Sequence, residues 1–387
     1  MNSKNVFILS LLMVSFFFQA FYINVGYAFK LYMMLVPLMY ISNSFGSICN
    51  RIYGYEFFWL LTIISFSLTG LYSYDLDSSL RMVIGLIILM FFYVLYVSAL
   101  KKYSVDEVIN AIIISGIMFN IISISLYIYG IKSVSGNFSY ATQGVHYGLL
   151  VDRGIPRLIG TLKDPNFFIG FNCLFLFISY FNLKKLKLSK YLFLLTLLSS
   201  IFTFSIGGLI ALIAGLSTIA VQSKKGLIRL IFICLSFVFL FIIGRELFPQ
   251  IQDFINTRAS GASDGSGRFK DWQNAINTFY NNPFGIGIFS FLKFNINELG
   301  GNHYVHNTYL EILVEGGIQT LILYLVAIFS LIYATYKLGV RDSRLEFLLP
   351  STTTLLMSFF SLSGFASEYW IFYLGTIHFF LNSSPRS

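Results

Sequence analysis

Charge is what this chain has least of. Only 11% of its 387 residues are charged, against about 25% in soluble domains, and 56% are hydrophobic. Apolar runs of about 18 residues or more recur from end to end, which excludes a soluble globular domain. The runs are continuous and do not alternate, which excludes a β-barrel. Cysteine is scarce as well. Cys49, Cys173 and Cys234 sit in or beside apolar segments. They have no metal spacing and no pairing, so they read as buried small hydrophobes. No repeat of roughly 20–50 residues is present, no low-complexity segment and no separate soluble domain. The glycine-rich turn NPFGIG (282–287) is not a P-loop, because it lacks the Gly-Lys-Ser/Thr ending. No metal and no cofactor are expected. The net charge of +9 is not a sign of nucleic-acid binding, since most basic residues lie in short loops, where they set topology.

The expected fold is therefore all-α: a polytopic integral membrane protein of about twelve transmembrane helices, forming a single transmembrane domain over 1–387. Candidate spans are 6–24, 27–42, 56–73, 80–99, 108–129, 166–183, 191–205, 206–222, 227–244, 317–336, 345–363 and 369–382. The first run, Val6 to Ile23, follows only Lys4 and precedes no small-residue cleavage site, so it reads as a retained span. The run 191–222 is too long for one upright helix and has basic segments on both sides, KKLKLSK (184–190) and SKKG (223–226). Both flanks belong on the cytoplasmic side, which requires a break near SIGG (205–208). With the N-terminus inside, every basic cluster in a short loop falls inside and the acidic YDLDSS (74–79) falls outside. Two long polar loops, 130–165 and 245–305, also fall outside, and the second is expected to carry an amphipathic helix. Both hold arginines against the usual bias, which suggests an anionic ligand at the outer face.

Candidate chemistry lies in and after these loops. The first loop ends in RLIGTLKDPNFFIGF (157–171). Asp164-Pro165-Asn166 reads as a capped helix entry, with a functional role for Asn166 open beside the structural one. Arg157 stands next to a membrane entry, where a guanidinium can grip a phosphate with two hydrogen bonds. In the second loop, Arg268 to Phe279 has helical spacing, with Phe269, Trp272, Ala275, Ile276 and Phe279 on one face. Arg258 and Arg268 are either solvated loop charges or ligand-binding groups. Gly301 to Thr320 (GNHYVHNTYLEILVEGGIQT) holds two of the four histidines. Here His306 lies at a membrane boundary where a helix is expected to begin. A helix N-terminus disfavours imidazolium and keeps the ring a neutral base. Asn307, Glu311 and Glu315 recur at helical spacing on one face of the helix. His306–336 is expected as the helix of this block and the span after it. His303 is the main rival, His146 is weaker, and His378 shows no partner in the sequence.

These residues resemble the O-antigen ligase and O-antigen polymerase superfamily of bacterial envelope glycan enzymes. That family's block runs His, then Asn, Ser or Gln, then nine residues, Gly, two residues, and Gly, Thr or Tyr. His306, Asn307, Gly317 and Thr320 meet it. NPFGIG, Arg268-Phe269-Lys270-Asp271-Trp272 and RLIGTLKDPNFFIG are similar to its other blocks. The chain departs from the family at Ser205-Ile206-Gly207, where Ser-Arg-Gly is frequent. The resemblance implies a metal-independent glycosyltransferase at the outer face of the inner membrane, acting on a glycan carried by undecaprenyl diphosphate. It implies His306 as the base and Arg157, Arg258 or Arg268 as diphosphate ligands. Asn307, Gly317 and Thr320 would shape the helix and its packing. The implied surroundings are membrane lipid, a chain-length regulator and a flippase, with no nucleic acid. A repeat-unit polymerase is the expected activity, because both outer loops carry arginine. A ligase to lipid A-core, a protein oligosaccharyltransferase and a glycan flippase are the alternatives. The flippase is disfavoured because the charges cluster in loops and only Lys30 and Arg81 lie in or near spans.

Overall fold

A computed structural model of the chain describes residues 3–25, 27–42, 51–184, 186–222 and 268–383, with Ile231 and Leu235 as isolated positions. Arg258, Cys49, Cys234 and nearly all of the span expected at 227–244 lie outside the described residues. The described chain is mostly helical. Among the described residues four helices are long and apolar enough to cross a membrane: Gly54–Tyr72, Leu76–Leu100, Val105–Ser133 and Thr308–Arg341. Shorter apolar helices run over Ser3–Ser15, Leu31–Ser42 and Ile206–Ile219.

Several boundaries differ from the sequence reading. The first expected span is helical only over Ser3–Ser15. The second opens as a strand, since Tyr22–Asn24 and Ala28–Lys30 form an antiparallel hairpin in the register Tyr22↔Lys30. Aromatic and β-branched residues at Tyr22, Ile23 and Phe29 suit this pairing. The first long loop is not structureless. Gly144–His146, Leu149–Asp152 and Ile155–Leu158 build a three-stranded antiparallel sheet. Its second turn is Arg153-Gly154, with φ of 53° and 79°, as a tight two-residue hairpin requires. Strands of three and four residues are too short to show the alternation by which strands are read. The break expected near 205–208 is present. Lys187–Phe202 and Ile206–Gln222 are separate helices, and Phe204 between them has φ 47°.

The chain forms two compact units. The first comprises Met1–Leu35, Tyr103–Ser260 and Leu338–Ser358; the second comprises Val36–Lys102, Gly261–Lys337 and Phe359–Ser387. Inside the first, a polar network ties three helices together. Asn120 Nδ2 donates to Asn172 Oδ1 (2.9 Å), Ser199 Oγ donates to Asn120 Oδ1 (2.5 Å), and Asn172 Nδ2 donates to the Thr196 carbonyl (3.1 Å). All four residues are fully buried. In an apolar surrounding such groups must satisfy one another, which fixes helix register.

The second unit has its own buried network, and it gives His378 the partner that the sequence hides. His378 Nδ1 donates to Glu56 Oε1 at 2.6 Å, while Nε2 accepts from Asn382 Nδ2 at 2.7 Å. Glu56 also accepts from the Tyr53 N–H (2.7 Å) and from the Tyr93 hydroxyl. His378 is 1% exposed and Glu56 6%. Removing one partner leaves the other buried and uncompensated, which costs about 3–5 kcal/mol. His378→Ala and Glu56→Gln are each expected to lower the melting temperature of the detergent-solubilised protein sharply. Thermal unfolding followed by intrinsic fluorescence would check this, and unchanged melting would rule out a stabilising pair.

Candidate active site

The second unit carries the histidine block. Its helix does not begin at His306 as expected. The first helical residue is Thr308, and Asn307 caps it, its Oδ1 accepting from the N–H groups of Tyr309 (3.1 Å) and Leu310 (3.2 Å). A short polar side chain at the cap satisfies donors that the first turn leaves open. A cap residue lies outside the helix, so His306 is pushed one position further out. It takes a left-handed backbone, φ 48°, which is uncommon for a residue with a side chain. Thr308 anchors the entry, donating to the Leu362 carbonyl (2.6 Å) and accepting from the Gly364 N–H (2.8 Å).

The chain arriving at His306 is held from below by the helix Arg268–Asn281. Trp272 Nε1 donates to the Val305 carbonyl at 2.9 Å. Ala275, Ile286, Phe291, Val305 and Val314 form the core of this region, with Trp272, Phe294 and Leu310 against it. The buried stripe of the loop helix is Asp271, Ala275 and Thr278, whereas Phe269 and Ile276 of the expected apolar face stay exposed. A carboxylate can be buried here because Asn295 Nδ2 donates to Asp271 Oδ1 (3.0 Å). Asp271 Oδ2 also faces His303 Nδ1 at 3.7 Å, and the His303 side chain is 55% exposed. Arg268, the first residue of this helix, is half-buried.

Gly317 interrupts the helix that follows. Its φ of 76° and ψ of 177° are non-helical, a backbone region open essentially to glycine alone. The interruption exposes carbonyl and N–H groups, and the turn NPFGIG meets them. The N–H of Ile286 donates to the Val314 carbonyl (3.0 Å), that of Gly287 to the Glu315 carbonyl (3.0 Å), and that of Ile318 to the Pro283 carbonyl (3.1 Å). Thr320 Oγ1 donates to the Gly316 carbonyl (2.6 Å) and shares a hydrogen bond with Ser65 Oγ (2.8 Å). Two motifs about thirty residues apart thus form one joint. Glu315, 1% exposed, fastens it further by accepting from the N–H groups of Phe289 (2.8 Å) and Phe291 (3.0 Å). Glu311, one turn earlier, has a buried Oε2 beside the Ser363 hydroxyl.

Tyr304 lies between these groups and the histidine. Its ring stands 5.5 Å from that of Phe289 and 6.5 Å from that of His306. Burial raises its phenol above the ordinary tyrosine range, and the carboxylates of Glu315, Glu311 and Asp75 add to the shift. Asp75 is held below the usual carboxylate range, first by the Ser78 hydroxyl and then by Lys293, whose Nζ lies 3.0 Å away.

Arg157 and Asn166 belong to the first unit. Arg157 is 8% exposed, with Nη1 donating to Asp152 Oδ2 and Nε to the Thr203 carbonyl, both at 3.2 Å. Asp164 caps the helix Pro165–Phe181, accepting from the N–H groups of Asn166 (2.7 Å) and Phe167 (3.3 Å). Asn166 Oδ1 accepts from the Ser205 hydroxyl. Of the residues singled out from the sequence, the second unit therefore holds His306, Asn307, Glu311, Glu315, Gly317, Thr320 and Arg268. Sequence reasoning missed Tyr304, the Asp271–His303 pair and Glu56. Pairs separated by tens to hundreds of residues leave no periodic signal. Tyr304 could have been found as the aromatic two positions before His306. Among the described residues no three or more His, Cys, Asp or Glu side chains converge as metal ligands.

Chemically, the arrangement presents an imidazole outside a capped helix on a constrained backbone. Beneath it lie a rigid joint and carboxylates that are buried or hydrogen-bonded. Residues 191–325 match the model of the O-antigen ligase family, and the matched stretch includes the loop helix, the joint and the whole histidine block. No curated protein matches the chain.

Proposed function

We propose that this chain, an O-antigen ligase-type membrane protein, is a repeat-unit polymerase of O-antigen or capsule type. The observation that supports glycan transfer, by polymerase or ligase alike, is the family match over the block from His306 to Thr320, whose residues form one capped and braced structure in the second unit. The reaction moves a growing glycan from undecaprenyl diphosphate to the non-reducing end of an incoming lipid-linked unit. The acceptor hydroxyl gives its proton to His306 while its oxygen bonds to the donor sugar's anomeric carbon. The bond from that carbon to the diphosphate oxygen breaks, and the electron pair leaves with the diphosphate. Arg268, in the same unit as His306, is the group proposed to hold the leaving charge.

The proposed setting is the bacterial inner membrane, with about twelve spans and the two long loops in the periplasm, beside a flippase and a chain-length regulator. Arginines in both loops favour the polymerase, since a polymerase holds two diphosphate carriers. The description of the matched family favours the ligase, which moves the finished chain to lipid A-core. Complementation of defined deletion strains separates the two. A polymerase restores long glycan ladders in a strain that otherwise attaches single units. Restored attachment without lengthening, in a ligase-deficient strain, would overturn the polymerase reading.

A further inference from the structure

Glu56 and His378 are ionisable groups that the proposed chemistry does not use. Both are buried in the second unit, on the apolar helices Gly54–Leu68 and Glu368–Ser383. A carboxylate and an imidazole inside apolar helices mark a functional site more often than a packing accident. The Glu56 carboxylate is saturated with donors. It accepts from His378 Nδ1–H (2.6 Å), from the Tyr53 N–H (2.7 Å) and from the Tyr93 hydroxyl.

The far side of the imidazole leads outward. His378 Nε2 meets the Asn382 amide at 2.7 Å, and the other end of that amide meets the Tyr53 hydroxyl at 2.7 Å. Asn382 is exposed, and so is Arg51, whose guanidinium lies 5.1 Å over the Tyr53 ring. Polar and cationic side chains at the ends of apolar helices mark the boundary that water reaches. The chain Tyr53–Asn382–His378–Glu56 therefore runs from a solvated edge to a buried carboxylate.

The chemistry of its links permits two protonation states. With His378 neutral, Nδ1 donates to Glu56, Nε2 accepts from Asn382 Nδ2, and Asn382 Oδ1 accepts from the Tyr53 hydroxyl. A proton taken from water at Nε2 turns that nitrogen into a donor. A half-turn of the amide then offers Oδ1 to Nε2–H and Nδ2 to the Tyr53 oxygen, since a tyrosine hydroxyl accepts as well as donates. No polar group loses its partner. The first state holds a buried anion, the second an ion pair. The other ionisable side chains facing the pair are Tyr55 beside Glu56, Tyr93 and Tyr96 on the helix Leu76–Leu100, and Tyr324 of Thr308–Arg341 on the cavity that Tyr55 also lines. Arg51 is the cation at the solvated edge. Helix Gly54–Leu68 also carries Ser65, whose hydroxyl meets Thr320 Oγ1 at 2.8 Å, so the pair sits on an element fastened to the histidine block.

We propose that Glu56 and His378 form a proton-binding site, loaded at His378 Nε2 from the solvated edge past the Asn382 amide, which switches the second unit between a buried anion and an ion pair. The site is independent of which glycan the chain transfers.

The test uses the full chain in lipid nanodiscs, purified without a histidine tag and labelled with ¹⁵N-histidine. His146→Gln, His303→Gln and His306→Asn together leave His378 alone of the four histidines. Solid-state NMR reads both ring nitrogens from about pH 8 to about pH 5, the range in which histidine ordinarily changes charge. At the alkaline end Nδ1 is expected to carry hydrogen and Nε2 none. At the acid end most rings are expected to carry both. The four-histidine protein must show the same pair of signals, which guards against a refolded variant. Asn382→Leu removes the group that Nε2–H needs, at an exposed position that leaves the core in place. It is expected to demand at least tenfold more acid for the same conversion. A ring holding the same number of protons at both ends of the range overturns the site. A wild-type titration in Asn382→Leu overturns the loading route.

Discussion

His306→Asn is expected to lower glycan transfer by about 10²–10⁴-fold, the usual contribution of a positioned general base. Asparagine is the informative replacement. The backbone at this position is left-handed, and asparagine tolerates that region better than most residues. The variant therefore removes the imidazole while keeping the local fold. Alanine tests the same loss but adds backbone strain. The helix cap is a separate side chain, Asn307, so losing the ring leaves the helix entry intact. Transfer is measured with purified protein and lipid-linked units, and melting temperature serves as the control. Wild-type turnover in the asparagine variant would remove His306 from the chemistry and turn attention to His303, whose Nδ1 faces the buried Asp271.

Gly317→Ala is expected to be the most destructive small substitution in the histidine block. An added Cβ would lie 2.4 Å from the Phe284 carbonyl carbon and 2.6 Å from its oxygen. The backbone at φ 76°, ψ 177° adds roughly 1–3 kcal/mol of strain for any side chain. Relief requires moving the 282–287 turn, and that turn holds three hydrogen bonds across the helix break. The expected outcome is a marked fall in folded yield and melting temperature, with activity lost alongside. Ile318→Ala, at a 41% exposed neighbouring position, is expected to stay within about 0.5 kcal/mol of wild type. Equal stability of Gly317→Ala and Ile318→Ala would show that the break does not brace the site.

The two variants separate chemistry from support, and that division bears on how the block is read. The spacing from His306 to Thr320 was legible because it lies within one stretch of chain. Its physical meaning was not. From the sequence, Asn307 and Gly317 are only positions in a pattern. In the structure, one ends a helix outward and places His306 beyond it, and the other opens the helix so that NPFGIG can hydrogen-bond into the gap. The expectation that the helix starts at His306 failed because it weighed the histidine and overlooked the stronger capping residue beside it. The loop helix packs two residues of its expected apolar face, Ala275 and Trp272, on the core of the region. Periodicity does not mark Asp271 beside them, a buried carboxylate that Asn295 makes tolerable.

Composition alone determined that the chain is a helical membrane protein, because backbone groups in lipid must satisfy one another locally and long apolar runs do this as helices. It also located the helix break before Ile206 and the stretch holding the histidine block, since both are written in contiguous residues. Only the tertiary structure decided which side chains meet. It paired Glu56 with His378, closed the three-stranded sheet in the first long loop, and set Tyr304 between Phe289 and His306. The reason is physical: local propensity acts over a few residues, whereas these contacts join segments brought together only by packing.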